Sequence, residues 1–246
     1  MSKLLSEVSD NVQVLTFNRP ETKNAFDVEL FELLRDSLNS AKDNSDIFSV
    51  IVTGSNDTFS SGVDLTSMLG NAGNDYEEPF ETCIDALVEF NKPLIASVNG
   101  VAVGGGATIL LHFDSVFISP NAKIKYPFSD LGLVPEVGSS YLLFHLLGYQ
   151  KASQLLFEAN WISGKEFYEL GLAQYVGDDC FNQAFEYAKR LSNQSLASII
   201  ETKSILKSFY KEDIKKARKL EADGMKKLFG SEDNLKGVEK FFSKKK

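Results

Sequence analysis

Apolar positions along this 246-residue chain recur with two periods, and the alternation between them lays out the fold. Residues 12–18 alternate as a half-buried strand does and stop at Arg19-Pro20. Two unbroken apolar runs, 49–53 ended by Gly54 and 94–98 between Pro93 and Asn99-Gly100, predict buried strands. Residues 115–118 predict another, and residues 123–126 a short one. Between these runs the period lengthens. Val28, Leu30, Phe31, Leu33, Leu34 and Leu38 fall at helical spacing behind Asp27 as N-cap. Phe80, Ile84, Leu87, Val88 and Phe90 predict a second helix, and residues 107–113 about two turns of a third. Helices follow over 139–147 and 151–158, broken at Gly148. Ser163 with Glu166 three residues on is a capping-box pattern, and Gly171 ends that helix. Beyond residue 181 only helical patterns remain, over 181–191, 197–209, 212–229 and 235–242. Strands interleaved with helices, then helices alone, predict an α/β core over residues 1–191 and a helical C-terminal subdomain over 192–246. The polar, glycine-bearing stretch from Gly70 to Tyr76 predicts a mobile loop.

Charge changes this picture in one respect. The chain carries −8 overall, which argues against nucleic acid as a partner, yet the distribution is uneven. From Ser195 onward there are 14 basic and 8 acidic residues, leaving that end at about +6 and the rest at about −14. Such a tail reads as a solvated face, or as a set of lysines meeting the phosphates of a ligand. Cys83 and Cys180 are too few for a disulfide framework or a metal site. His112 and His145 each sit in an apolar helical run, so core or interface is expected of them rather than metal ligation. No apolar stretch is long enough to span a bilayer, so no membrane partner is expected. The first residues lack a signal-peptide pattern and Ser243-Lys244-Lys245-Lys246 is not a peroxisomal Ser-Lys-Leu address, so a cytoplasmic setting is expected.

The candidate chemistry lies between residues 98 and 138. A buried strand runs into Gly104-Gly105-Gly106 and then a helix, leaving unpaired backbone N–H groups where negative charge is favoured. About thirty residues later, Glu136 stands among Val134, Pro135 and Val137. Desolvation there raises a carboxyl pKa and strengthens it as a base. An anion cradle with a lone carboxylate in apolar company points to proton abstraction beside a carbonyl. Taken locally, Pro135-Glu136-Val137-Gly138 also reads as an ordinary surface turn, Asp64 as a helix cap and Asp130 as a solvated turn acid.

Three stretches in this order and spacing resemble the crotonase superfamily, the enoyl-CoA hydratases and isomerases. They are Asn18-Arg19-Pro20 with Asn24-Ala25, the loop Phe59-Ser60-Ser61-Gly62-Val63-Asp64-Leu65, and Asn99-Gly100 through the glycine triplet to Asp114. The likeness covers nearly the whole chain. It implies an α/β spiral of ββα units with a helical C-terminal part, assembled as a homotrimer or a dimer of trimers. It also implies an acyl-CoA thioester substrate whose enolate oxygen is held by two backbone N–H groups. At the matched positions the donors would be Val63 and Gly105. CoA contacts are implied at Lys23, Ala25, Ser61, Asp64 and Leu65, with Phe241 toward the adenine and Lys244 toward a phosphate, the latter two across a subunit boundary or within one chain. Phe128 is expected in the acyl pocket or the core.

Departures within the resemblance narrow the activity. Hydratases carry one glutamate where this chain has Thr108 and a second where it has Phe128. Glu136 remains, and the stretch from Pro127 to Tyr141 looks like the peroxisomal-type Δ3,Δ2-enoyl-CoA isomerases, whose single glutamate stands there. A 1,3-proton shift by Glu136 is therefore expected, with no metal or cofactor beyond the CoA of the substrate. Two alternatives stay open. One is a superfamily isomerase acting on a ring epoxide of phenylacetyl-CoA, which usually has aspartate at this turn. The other is a catalytically inactive acyl-CoA-binding module.

Overall fold

Asp10 and Asn11, both in left-handed conformation at φ 53° and 61°, make the two-residue turn that joins β1 (Leu4–Ser9) to β2 (Val12–Phe17). The structure is a computed structural model describing residues 2–65 and 76–243. From the hairpin onward the chain lays down strands in pairs. β3 (Ser49–Gly54) precedes β4 (Thr58–Ser60), β5 (Leu94–Val98) precedes β6 (Val101–Val103), and β7 (Ser115–Ile118) precedes β8 (Lys123–Lys125). The first member of each pair joins one sheet and the second joins another. Adding β9 (Ile162–Ser163) and β10 (Tyr175–Val176), the sheet orders are β1-β2-β3-β5-β7-β10 and β4-β6-β8-β9. All pairings but β1/β2 and β8/β9 are parallel, so the chain must cross over between successive strands. Helices α1 (Val28–Asp43), α2 (Glu77–Glu89) and the single turn α3 (Gly105–Thr108) lie in those crossovers. The result is the expected spiral of ββα units.

Burial follows the sequence pattern. β3 and β5 are buried at every position, as their unbroken apolar runs predict. One face of their sheet packs on Leu30, Leu34 and Leu38 of α1 and Ile84 and Leu87 of α2. The other face, with Val12, Ile51, Ile95 and Phe117, is covered by Cys180, Ala184 and Ala188 of a later helix, Cys180–Leu191. Asp27 caps α1 by accepting from the Leu30 N–H at 2.9 Å. Helices α4 (Ser139–Leu147), α5 (Tyr149–Glu158) and α6 (Gly164–Glu169) follow, the last with both hydrogen bonds of its capping box formed. They are succeeded by α7 (Cys180–Leu191), α8 (Leu196–Ser208), α9 (Lys211–Leu228) and α10 (Glu232–Ser243).

Several expectations are corrected. The helix after the glycines has about the two turns expected, one α and one 3-10 (Ile109–His112), but it begins at Gly105 rather than Ala107. His112 is half-buried, and His145 stands exposed on α4 rather than in the core, its ring stacked on Tyr141 at 5.5 Å, which leaves the interface expected of it open. The basic tail is not wholly a solvated face. Lys203 donates to the Lys92 carbonyl at 2.8 Å and to Asp114 at 2.6 Å, and Lys207 to the carbonyls of Val88 and Phe90 at 2.7 and 3.1 Å. The Lys207 contacts lie at the C-terminal end of α2, where a cation suits the helix dipole. Burial, with Lys203 beside it, pushes the Lys207 ammonium down to about 7. Of the loop expected from Gly70 to Tyr76, all but Tyr76 lies outside the described residues. Among the described residues no helix is long and apolar enough to cross a membrane.

Candidate active site

An isolated parallel bridge between Phe26 and Val63 prepares one of the two amides. The Phe26 N–H donates to Gly62 O at 2.8 Å and the Asp64 N–H to Phe26 O at 2.9 Å. In a parallel pairing of this kind the N–H of Val63 itself points away from Phe26. Arg19, only 8% exposed, holds the bridge from behind. Its Nη1 donates to the Ala25 carbonyl at 2.5 Å, and its Nη2 lies 3.2 Å from both Asp27 and Asp64. Gly62, at φ +85°, lets this loop lie directly on the turn after β6. A Cβ at Gly62 would stand 2.5 Å from Val103 O and 3.1 Å from the Gly105 nitrogen. Gly105 is the first residue of α3, so its N–H has no acceptor within the helix. Among the described residues neither the Val63 nor the Gly105 N–H donates a hydrogen bond.

Glu136 comes to the same place from a third segment. A Cβ built on Gly105 would lie 3.3 Å from Glu136 Oε1, 3.6 Å from Phe26 Cδ2 and 3.7 Å from Val63 Cγ2. The carboxyl is half-buried and makes no hydrogen bond among the described residues. Burial first, then the neighbouring charges of Glu221 and Glu81, push its pKa up to about 7. The turn beneath it is strained. Val137 sits at φ +65°, a conformation that a β-branched residue rarely adopts. His112 Nε2 lies 2.7 Å from the Val137 carbonyl. Burial pushes that imidazole down to about 4, so the ring is neutral at pH 7 and the carbonyl fixes its proton on Nε2. Glu221 of α9 accepts from the Gly138 N–H at 2.7 Å and the Ser140 N–H at 2.9 Å.

The positions where hydratases have acids are occupied otherwise. Thr108 is buried and its hydroxyl donates to Gly105 O at 3.2 Å, while Phe128 is 5% exposed and belongs to the main core cluster. Lys23 and Ser61 adjoin at the surface, the Ser61 N–H donating to the Lys23 carbonyl at 2.9 Å. Ala25 is buried with its carbonyl already taken by Arg19, and Asp64 is ion-paired with Arg19. The helix that Asp64 was expected to cap falls beyond Leu65, outside the described residues, and Leu65 itself is half-buried. Asp130 is exposed and paired with Lys125 at 2.6 Å, the solvated acid expected. Phe241 is 39% exposed on α10, edge-on to Phe242 at 5.5 Å. Lys244 lies outside the described residues.

Sequence reasoning missed Arg19, His112 and Glu221 as parts of this assembly. Arg19 had a local signal, since it lies in the motif quoted for the resemblance. Glu221 had none, because its partners are more than eighty residues away. Two open grooves lie elsewhere, about 530 Å³ around Trp161 and about 370 Å³ around Phe144 and Phe157. Neither is lined by Glu136, Val63 or Gly105, and Glu166 in the first is engaged in its capping box. Among the described residues no group of three His, Cys, Asp or Glu side chains is placed to hold a metal ion.

An acid beside two open amides can be compared with known proteins. The family described as Enoyl-CoA hydratase/isomerase matches residues 7–246. The chain is 31% identical to the 1,2-epoxyphenylacetyl-CoA isomerase of Escherichia coli K12, covering all of this chain and 97% of that protein. It is 34% identical to the peroxisomal enoyl-CoA delta isomerase 3 of Mus musculus, over 70% of this chain and 56% of that protein. The crystal structure of an enoyl-CoA hydratase/isomerase from Pseudoalteromonas atlantica T6c superposes with a TM-score of 0.93 at 30% identity, covering 98% of this chain and 97% of that one. With matches this long and a fold this close, the chain belongs to the enoyl-CoA hydratase/isomerase family and is an enzyme of that family.

Proposed function

We propose that this enzyme shifts the double bond of a 3-enoyl-CoA to give the 2-trans-enoyl-CoA, as in the oxidation of unsaturated fatty acids. The observation that carries the reading is the carboxyl of Glu136 beside Gly105, pushed up to about 7 and unaccompanied at the two hydratase positions, Thr108 and Phe128. The ionised Glu136 removes a proton from C2, and the electron pair passes into a dienolate whose oxygen accepts from the N–H groups of Val63 and Gly105. Glu136, now protonated, returns the proton to C4. One base serves both carbons because they lie on one face of a planar intermediate. A positioned base typically contributes about 10²–10⁴ in rate. An oxyanion donor contributes about 10²–10³. Because only a proton moves, the reaction needs neither metal nor redox cofactor.

The thioester enters past Lys23 and the backbone from Ser61 to Leu65, with Phe128 closing the acyl side and Phe241 covering the CoA. Exposed Phe144, Tyr149, Phe157 and Leu220 on α4, α5 and α9 suit burial against further copies, as a trimer or dimer of trimers requires. We place the enzyme in the cytoplasm.

A second reading has its own support. The full-length likeness to the bacterial 1,2-epoxyphenylacetyl-CoA isomerase favours a ring-epoxide substrate. Incubation with each thioester separates the two. Conjugated-thioester absorbance from 3-enoyl-CoA, lost by at least about 10² in Glu136→Gln, supports the first reading. Turnover of the ring epoxide alone supports the second, and turnover of neither leaves an acyl-CoA-binding module. Because abstraction needs the ionised carboxylate, kcat/KM is expected to rise with pH through about 7 and to level off above it.

A further inference from the structure

The N-terminus of α4 begins at a residue that cannot cap it. Gly138 holds the N-cap position with no side chain, so the open N–H groups of that turn need an acceptor from elsewhere. Glu221, on α9 and 6% exposed, supplies it. One oxygen accepts from the Gly138 N–H at 2.7 Å. The other accepts from the Ser140 N–H at 2.9 Å and from the Ser140 hydroxyl at 2.6 Å. Ile214 and Arg218 of the same helix lie 3.2 and 3.7 Å from where a Cβ of Gly138 would be. The capped turn is the one that carries Glu136 and the strained Val137. A serine or asparagine would cap without placing a second buried carboxylate beside Glu136, where like charges repel. Glu221 also has no ion-pair partner among the described residues, whereas Glu81 is paired with Arg218.

We infer that Glu221 is a positioning residue for the proton transfer proposed above: from the C-terminal helix it fixes the turn under Glu136, and its negative charge makes Glu136 a stronger base. The inference rests on Glu136 being that base. The charged and titratable groups around Glu136 divide by element. Glu221 and Arg218 come from α9, and Glu81 and Asp85, both bound by Arg218, come from α2. Tyr76 precedes α2, its phenol raised by burial and then by the Glu136 charge. Asp64 lies on the Val63 loop, engaged by Arg19. His112, neutral, holds the Val137 carbonyl from below. Glu221 is thus the acid in this set that meets the turn directly with no cation of its own. Docking of α9 and competence of the base are one event.

The test compares the whole protein with Glu221→Gln, which removes the charge and keeps the size. Carboxyl titration is followed by ¹³C NMR without substrate, the Glu136 signal being assigned by its loss in Glu136→Gln. In Glu221→Gln the Glu136 midpoint is expected to fall by ~0.5–1 unit. The acid limb of kcat/KM moves with it, and kcat falls while KM holds. A midpoint that stays in place, with or without lost activity, overturns the inference, because a purely structural cap would not set it. Should the glutamine variant not fold, Glu221→Asp draws the charge back by one methylene. A smaller fall of the midpoint is then expected, and an unchanged one again overturns the inference. Full isomerase activity in Glu136→Gln would sink the base assignment instead, and is distinguishable because the midpoint is read without substrate.

Discussion

At the scale of the residue, Glu136 illustrates a site whose chemistry works against its stability. Its carboxyl binds a proton more tightly in the folded chain, at about 7, than at the ordinary 4.5. A raised carboxyl contributes fully below the unfolded value and loses that contribution as pH climbs through the folded one. The wild-type protein is therefore expected to lose stability from about pH 4.5 to above pH 7. Glu136→Gln, which does not titrate, is expected to show no such loss. The rise from 4.5 to about 7 corresponds to about 3 kcal/mol, which the partial exposure of the side chain reduces to about 1–2 kcal/mol. Urea unfolding at pH 5 and pH 8 checks this, and a variant advantage independent of pH would remove the linkage. The strain at Val137 has the same sense. A β-branched residue at φ +65° is held there by the hydrogen bond from His112 and the cap on Gly138, and what it secures is the direction of the side chain before it.

Between elements, the separation of the two amides depends on how closely the loop after β4 lies on the turn after β6. Gly62→Ala is expected to force them apart. The new methyl would meet Val103 O at 2.5 Å, and φ +85° is itself strained for alanine, together costing about 1–3 kcal/mol. Turnover is expected to fall further than stability explains, by about 10² or more, because one donor is displaced. Paired measurements of Tm and kcat decide it, and a stable variant with full turnover would show that the loop spacing is immaterial. What the sequence made legible follows from the same physics. β3 and β5, buried on both sides, and the helices from α7 onward announce themselves by period. β1 does not, because Leu4 is its one buried residue. β4, β6, β9 and β10, with two or three residues each, are too short for a period to show. Glu136 stood out from its apolar neighbours, whereas the convergence of Val63 and Gly105 was implied by resemblance rather than by pattern. Lys203, Lys207 and Glu221 were illegible, since their partners lie far off along the chain and nothing local distinguishes them from surface charges.

For the molecule as a whole, the two terminal helices have separable duties. α9 carries Glu221 and Arg218 and lies under the base, whereas α10 lies against the 3-10 turn Ser129–Leu131. There Asn234 Nδ2 donates to Leu131 O at 2.8 Å, and Gly237 permits the close approach. A Cβ at Gly237 would stand 2.7 Å from Asp130 O and 2.8 Å from Leu131 Cα, both backbone atoms that cannot swing aside. In an isolated helix Gly237→Ala would be favourable by about 1 kcal/mol, so any loss in this protein must come from that collision. The variant is expected to lift α10 from the turn and accelerate amide exchange along residues 232–243, with α9 still seated. If Phe241 on that helix covers the CoA, KM for the thioester rises several-fold while kcat and the pH limb set by Glu136 stay put. The opposite split, with kcat falling at constant KM, would transfer to α10 the role given to α9. Faster exchange with both constants unchanged would take α10 out of the binding site altogether.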